Sequence, residues 1–203
     1  MVKQERAVRT RRSLIEAAAA VFAEEGYVPS SLSTISKRAG VSNGALHFHF
    51  ENKKALARAV EEAAIDVIHK LVGFSGHADA SALQALVDAT HGLVGCLLDD
   101  IVVRAGFDLS FERALGTGAG LVRTWHKWVE ETLRRAEAEG HLAPGVSPDE
   151  AAAAIVAATV GFDVLAGGDP QWLAERRIVE FWELLLPGIA TADVLVSAYP
   201  GSQ

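Results

Sequence analysis

The 203-residue sequence contains one cysteine, six prolines and no long apolar run. A single cysteine, Cys96, excludes an intrachain disulfide and a cysteine-based zinc site. The longest nearly apolar segment, residues 151–162, is too short to cross a bilayer. Residues 1–12 are polar and basic and lack the apolar core of a signal peptide. We therefore expect a cytoplasmic protein without a membrane partner, and the few strand-like runs argue against an all-β fold.

Charge is unevenly distributed along the chain. Residues 1–56 contain nine Lys or Arg and five Asp or Glu, a net charge of +4, whereas residues 57–203 contain ten and 21, a net charge of -11. Half of the residues are hydrophobic, which excludes a disordered protein. A basic N-terminal region followed by an acidic body favours contact between the first region and a polyanion such as nucleic acid.

Helical periodicity along the chain predicts an all-α fold of about nine helices. The first helix carries an apolar face over residues 14–22 and ends at Gly26. Ser31 or Ser33 is expected to cap the second helix, and Ser42 or Asn43 the third. We predict these and later helices at residues 33–39, 43–50, 53–71, 79–98, 100–112, 121–139, 148–165 and 171–189. Gly116, Gly118 and Gly120 should break the chain, and residues 191–203 form a polar tail.

Residues 33–53 have the pattern of a helix-turn-helix, two short helices that meet at a glycine bend over residues 39–41. The second helix of such a motif enters the major groove with its N-terminal residues nearest the bases. The side chains expected to contact DNA are those at and around this helix start, namely Ser33, Lys37, Ser42, Asn43, Gly44, His47 and Lys53. A helical hairpin without a ligand fits the spacing equally well.

Many positions in the first 56 residues resemble the TetR family of bacterial transcriptional regulators. The matching segments are Thr10-Arg11, Phe22-Ala23-Glu24-Glu25-Gly26-Tyr27, Ser33-Thr34-Ile35-Ser36, Ala39-Gly40-Val41-Ser42-Asn43-Gly44-Ala45-Leu46, Phe48-His49-Phe50 and Asn52-Lys53. The resemblance implies a homodimer with a DNA-binding domain over residues 1–56. Residues 57–203 are then the effector-binding and dimerisation domain. Binding of a small effector is expected to release a palindromic operator in double-stranded DNA.

A finer resemblance, to the γ-butyrolactone autoregulator receptors of actinomycetes, rests on three further groups of residues. These are Lys3-Gln4-Glu5-Arg6-Ala7, Val103-Arg104-Ala105-Gly106-Phe107 and Val160-Gly161. This group includes pseudo-receptors, which bind other ligands such as antibiotics. Two departures affect the DNA-reading helix: His47 stands where the family usually has Tyr, and Asn43 where receptors commonly have Lys. Asn43 can read a base edge but has lost the charge.

The resemblance also implies an effector pocket in the body. It places Trp125 against the ligand, where the ring can cover an apolar surface and the indole N–H can donate to a carbonyl. Trp128, one turn further on, and Phe107 and Phe162 on neighbouring helices are expected to complete the lining. An aromatic stripe at helical spacing also fits a packed core. The last two helices are expected to form a four-helix dimer seam that includes Ile155, Phe181, Trp182 and Leu185.

Other chemistries have little support in the sequence. His47 and His49 are two residues apart, and on a helix their side chains diverge too far to share one metal ion. The glycine-rich residues 116–120 follow no strand and lack the Lys-Ser/Thr of a phosphate loop. No nucleophile–base set is visible. We predict a TetR-type repressor of secondary metabolism with no cofactor or metal; the alternatives are a regulator of another pathway, such as drug efflux, or a helical interaction module without DNA binding.

Overall fold

The computed structural model describes residues 2–75, 81–112, 115 and 120–192 of the protein. Within these residues nine α-helices and one short 3₁₀ helix account for the regular structure, which confirms the all-α fold. The helices are α1 (Val2–Glu25), α2 (Leu32–Arg38), α3 (Asn43–His49), α4 (Lys53–Ser75), α5 (Ala82–Asp99), α6 (Ile101–Ser110), α7 (Gly120–Ala138), α8 (Pro148–Ala166) and α9 (Glu175–Ile189). Gly120, which was expected to break the chain, is instead the first residue of α7. Gly116 and Gly118 lie outside the described residues, as do residue 79 and most of the polar tail.

Side-chain caps fix several helix starts. Ser31, not Ser33, caps α2 by accepting a hydrogen bond from the Thr34 N–H, and Ser42 caps α3 in the same way. Of the two candidates for α3, Ser42 is therefore the cap and Asn43 is the first helical residue, and Ser147 caps α8 by accepting from the Glu150 N–H. Asp100 precedes α6 and accepts from two of its amides. Each cap satisfies amide groups that the first helical turn leaves without a backbone partner.

The final helix differs from the prediction, which ran from residue 171 to 189 without interruption. The chain instead forms a 3₁₀ helix over Pro170–Leu173 and starts α9 only at Glu175. The separation arises at Ala174, which has the extended backbone angles φ -62° and ψ 138°. Asp169 caps the 3₁₀ helix by accepting from the Gln171 N–H, so the two pieces have separate starts.

The first of two compact units contains residues 1–67 and 98–122. α1 packs on α2 and on α6, and their apolar side chains form one core with those of α3 and the start of α4. α6 and α4 approach closely at Gly106, where a Cβ atom would lie 2.5 Å from the Ala64 Cβ. Since α6 joins this unit, the compact units do not divide the chain at the expected domain boundary after residue 56.

The second unit contains residues 68–97 and 123–203. An isolated antiparallel bridge between Leu142 and Ala190 ties the end of α9 to the loop after α7. The Ala143 N–H donates to the Ile189 carbonyl at 2.8 Å, and the Thr191 N–H to the His141 carbonyl at 2.9 Å, so both sides of the bridge are bonded. None of the described helices is long and apolar enough to cross a membrane.

Candidate nucleic-acid interface and effector site

The turn between α2 and α3 has the geometry that a helix-turn-helix requires. Gly40 has a φ of 68°, a conformation that glycine adopts at little cost, and the Val41 N–H donates to the Ser36 carbonyl at 3.0 Å. The two helices are anchored from inside by the buried side chains of Ile35 and Leu46. The glycine bend is as predicted.

The opposite face of α3 is exposed and contains both predicted reading residues, Asn43 and His47. Asn43 is held in place by a 2.6 Å hydrogen bond between its Oδ1 atom and the hydroxyl of the buried Ser36. The same hydroxyl lies 3.0 Å from the Ser33 carbonyl oxygen. Because a hydroxyl has one proton, Asn43 can turn either its oxygen or its NH₂ group toward Ser36 and present the other to a base edge.

Three other predicted DNA contacts surround the start of α3. Ser33 is exposed on α2, and Ser42 and Gly44 are exposed at the first turn of α3. A Cβ atom at Gly44 would have only the Ser42 hydroxyl, 3.9 Å away, within van der Waals range. Packing within the chain therefore does not require glycine here, and the bare backbone leaves room for an external ligand. Lys37 is exposed in the last turn of α2.

The prediction that Lys53 contacts DNA phosphate needs correction. Its ammonium group donates to the backbone carbonyls of Tyr27 at 2.7 Å, Val28 at 2.9 Å and Ser30 at 2.8 Å. The Lys53 Nζ atom also lies 4.6 Å from the centre of the Tyr27 ring. An ammonium group has three N–H donors, and each of them is engaged in one of these three hydrogen bonds. Lys53 therefore holds the α1–α2 loop against the start of α4.

Arg38 is likewise occupied within the chain. Its guanidinium makes two hydrogen bonds to the carboxylate of Glu24 at the end of α1. These bonds hold the pKa of Glu24 below its usual range, so the carboxylate is charged at neutral pH. The pair links α2 to α1 at the surface of the unit. Lys54, by contrast, is exposed beside the motif.

Phe48 lies on this surface, although it was not among the predicted DNA contacts. Its side chain is 82% exposed on α3, although phenylalanine is usually buried. The signal was present in the pattern, since Leu46 and Phe50 face the core and so direct Phe48 outward. An exposed aromatic side chain on a reading helix offers an apolar contact for a base or sugar.

Trp125, the predicted effector contact, is fully buried in the second unit and stacks on Trp128 with ring centres 5.4 Å apart. Its indole N–H already has an acceptor: it donates to the Thr159 hydroxyl at 3.0 Å. Thr159 in turn lies 3.0 Å from the Ile155 carbonyl and 3.1 Å from that of Val156. The sequence-based prediction did not include Thr159. A threonine among the apolar residues of α8 was the available sign of a buried hydrogen-bonding group.

Phe162 has aromatic partners of its own, and Phe107 belongs to the first unit. Phe162 packs in an aromatic cluster with Trp172 of the 3₁₀ helix and Phe181 of α9, at ring-centre distances of 6.4 and 6.0 Å. Phe107 is buried in the first unit. The structure therefore brings Trp125 and Trp128 together directly, and gives Phe162 other aromatic partners.

The sequence-based prediction wrongly placed two residues, Ile155 and Trp182, in the dimer seam. Ile155 and Trp182 are buried within a single subunit, and the Trp182 N–H donates to the Thr90 hydroxyl at 2.7 Å. Their side chains cannot form an outer surface. Phe181 and Leu185 are half-buried. The large apolar side chains that α8 and α9 expose are Val164, Leu165, Val179 and Leu184.

No group of three or more His, Cys, Asp or Glu that could hold a metal occurs among the described residues. A helix-turn-helix with an exposed polar reading face is the arrangement of DNA-binding regulators. The family pattern of the "bacterial regulatory proteins, tetR family" matches residues 14–60. The chain is 35% identical to the A-factor receptor protein of Streptomyces griseus over 204 residues, which span 98% of this chain and 71% of that protein.

Two solved structures show the same fold along nearly the whole chain. A γ-butyrolactone receptor described as ArpA-like has a TM-score of 0.79 at 30% identity, covering 93% of this chain and 92% of its own. CprB of Streptomyces coelicolor, solved with its operator sequence, has a TM-score of 0.77 at 30% identity over the same shares of the two chains. The chain belongs to the TetR family. It is a transcriptional regulator related to the A-factor and γ-butyrolactone receptors, not an enzyme.

Proposed function

We propose that this protein is a dimeric repressor that acts in the cytoplasm on a palindromic operator and is released by a small effector. The effector is of the γ-butyrolactone type or an antibiotic-like metabolite, and the target genes belong to secondary metabolism. The observation that carries the proposal is the exposed face of α3, where Asn43, His47 and Phe48 point outward from an anchored helix-turn-helix. Similarity to the A-factor receptor along nearly the whole chain supports it.

Sequence reading is assigned to α3. Asn43 and His47 lie four residues apart and therefore on one side of the helix. An amide can make two hydrogen bonds to an adenine edge, and Gly44 allows the backbone to approach the DNA. A dimer with two-fold symmetry presents two such helices, and its operator should then have two matching half-sites.

Effector binding is assigned to the surroundings of Trp125. The indole N–H is the donor that a lactone or other carbonyl can use, and in the structure it donates to the Thr159 hydroxyl. A carbonyl ligand that binds here replaces the Thr159 acceptor. The stacked Trp128 ring supplies apolar area beside that donor.

Dimerisation is assigned to the exposed apolar side chains of α8 and α9. Leu184 is 84% exposed, and Val164 on α8 is 63% exposed, so both have surface to bury against a second subunit. These side chains replace Ile155 and Trp182 in the expected seam. Burial of large apolar surface is typical of stable homodimers.

The test is a fluorescence-anisotropy titration of the purified protein against a duplex from upstream of its own gene and against a scrambled duplex. We expect tighter binding to the first, an affinity that falls steeply with salt, and release by γ-butyrolactones or antibiotic-type metabolites in a ligand panel. Equal affinity for both duplexes and for those upstream of neighbouring genes would contradict sequence-specific repression. A panel in which only efflux substrates release the DNA would favour the drug-efflux alternative.

A further inference from the structure

Ser36 is a buried polar residue that contacts the reading helix from the helix before it. It lies on α2 and is 2% exposed, and its hydroxyl oxygen is 2.6 Å from the Oδ1 atom of Asn43, the first residue of α3. The bond crosses the turn of the motif, since the two residues are seven positions apart. The orientation of the Asn43 amide is therefore set from α2, outside the helix that carries it.

The Ser36 hydroxyl has two oxygen atoms within hydrogen-bond distance but only one proton. Besides Asn43 Oδ1, the Ser33 carbonyl oxygen lies 3.0 Å away. A carbonyl within an α-helix accepts from the N–H four residues later, so the Ser33 oxygen does not depend on the serine proton. The Asn43 oxygen is the nearer of the two acceptors and the one for which Ser36 is the donor on hand.

The length of the Ser36–Asn43 bond decides which end of the amide faces the hydroxyl. Hydrogen bonds from O–H to oxygen are about 2.5–3.0 Å long, whereas those from N–H to oxygen are about 2.7–3.2 Å long. At 2.6 Å the contact fits an O–H donor and is too short for the amide NH₂ group. Ser36 therefore donates to the Asn43 oxygen, and the NH₂ group of this exposed residue remains for an acceptor outside the chain.

An amide held in this way offers donors to a base. Guanine presents two acceptors, N7 and O6, on its major-groove edge, whereas adenine presents one acceptor beside an amino donor and thymine a single acceptor. The two-bond contact between asparagine and adenine uses both ends of the amide. With the Asn43 oxygen bonded to Ser36, guanine is the base that best fits the outward NH₂ group.

We propose that Ser36 is a positioning residue that holds the Asn43 NH₂ group outward, so that the protein selects guanine at the operator position facing Asn43. The inference rests on the proposed function, because it requires α3 to read DNA. It adds to that function the identity of one base and the residue that determines it. Because Ser36 acts through Asn43, its effect on base preference should be confined to one position of each half-site.

The test measures how tightly the purified protein binds variants of the duplex from upstream of its own gene in which each position carries each of the four base pairs in turn. The position facing Asn43 is the one whose preference Asn43→Ala abolishes, and wild type should favour guanine there. One hydrogen bond between neutral groups changes an equilibrium about two- to tenfold. Ser36→Ala should lower the guanine preference by about this factor and leave the preferences at other positions unchanged.

Two further variants separate positioning from structural support. Asn43→Asp keeps an oxygen for the Ser36 proton but replaces the outward NH₂ group by a second oxygen. The preference at this position should therefore change from guanine to cytosine, whose edge presents an amino donor. In an Asn43→Ala background, Ser36→Ala should change no base preference, because the amide that it positions is absent.

The matched control is Ser30→Ala. Ser30 is also buried, and its hydroxyl donates at 2.7 Å to the carbonyl of Tyr27, in the loop before α2. This variant should leave every base preference unchanged, and thermal unfolding of all variants is measured in parallel.

The outcomes distinguish the positioning role from the proposed function. If Ser36→Ala keeps the guanine preference of wild type, or weakens binding to all duplexes by one common factor, the positioning proposal is wrong while the proposed function stands. A wild-type preference for adenine at the Asn43 position would also overturn it, as would an Asn43→Ala variant with unchanged preferences. If wild type binds every duplex equally, the proposed function itself fails.

Discussion

Replacing Thr159 by valine separates a structural role of Trp125 from a ligand-binding role. Valine has nearly the shape of threonine but no hydroxyl, so the variant leaves the indole N–H buried without an acceptor. An unsatisfied buried donor costs about 1–3 kcal/mol. For a chain of this size, the midpoint of thermal unfolding falls by about 2–4 °C per kcal/mol. We therefore expect Thr159→Val to melt several degrees below wild type.

Replacing Trp125 and replacing Thr159 should change the affinity for the effector in opposite directions. Trp125→Phe keeps an aromatic ring but deletes the donor, and losing one hydrogen bond of about 1–1.5 kcal/mol weakens effector binding up to about tenfold. Thr159→Val removes the competing acceptor, so an effector carbonyl gains the whole hydrogen bond and the effector concentration for half-release should decrease. The double variant should respond as Trp125→Phe does, since no donor remains.

The chain contains a matched control for this experiment. Trp182 and Thr90 form a second buried indole–hydroxyl hydrogen bond, 2.7 Å long, between α9 and α5. Trp182→Phe and Thr90→Val should lower the melting temperature comparably and leave the dose of effector needed for release unchanged. The assay is operator release followed by fluorescence anisotropy, with thermal unfolding measured on the same samples. An unchanged dose response in Trp125→Phe, or equal changes in both pairs, would refute the assignment of Trp125 to the effector.

Three other outcomes test the DNA-binding and dimer surfaces. Asn43→Ala should lose about 1–3 kcal/mol of discrimination between operator and scrambled DNA, measured as the ratio of the two affinities; an unchanged ratio would remove Asn43 as a reader. Lys53→Met should lower stability by about 2 kcal/mol because three loop carbonyls lose their donor, whereas the exposed neighbour Lys54→Met should change it by less than about 0.5 kcal/mol; weakened DNA binding without a loss of stability would instead restore Lys53 as a phosphate contact. Leu184→Glu should give a folded monomer with weak operator binding, as determined by analytical ultracentrifugation and anisotropy, and a stable dimer would place the seam elsewhere.

The local features of the reading helix could be predicted from sequence because helical periodicity decides them. Once Leu46 and Phe50 face the core, Asn43 and His47 must face outward. The partners of Lys53 could not be predicted in this way. Tyr27, Val28 and Ser30 precede Lys53 by 23 to 26 residues, and only the folded loop turns their carbonyls toward one ammonium group. A lysine near a DNA-binding motif looks the same in sequence whether it binds phosphate or its own backbone.

Ile155 and Trp182 were assigned to the dimer seam for a related reason. α8 is rich in alanine and valine on all sides, so its sequence does not distinguish the side that packs within the subunit from the side that remains outside. Ile155 proved to be inside and Val164 outside. The Thr159 acceptor for Trp125 was missed because the two residues are 34 positions apart and neither carries a charge that marks the pairing.

The close approach of α6 and α4 at Gly106 affects how a displacement passes through the first unit. Elsewhere in a core, long side chains lie between two helices, and changes of rotamer can absorb a small shift. At Gly106 no side chain separates the helix from the Ala64 methyl group, so the junction has little compliance. At this point α6 rests on α4 directly, and any side chain larger than that of glycine would have to push the two helices apart. Because α4 begins at Lys53, soon after the reading helix, this contact joins α6 to the helix that follows the DNA-binding motif.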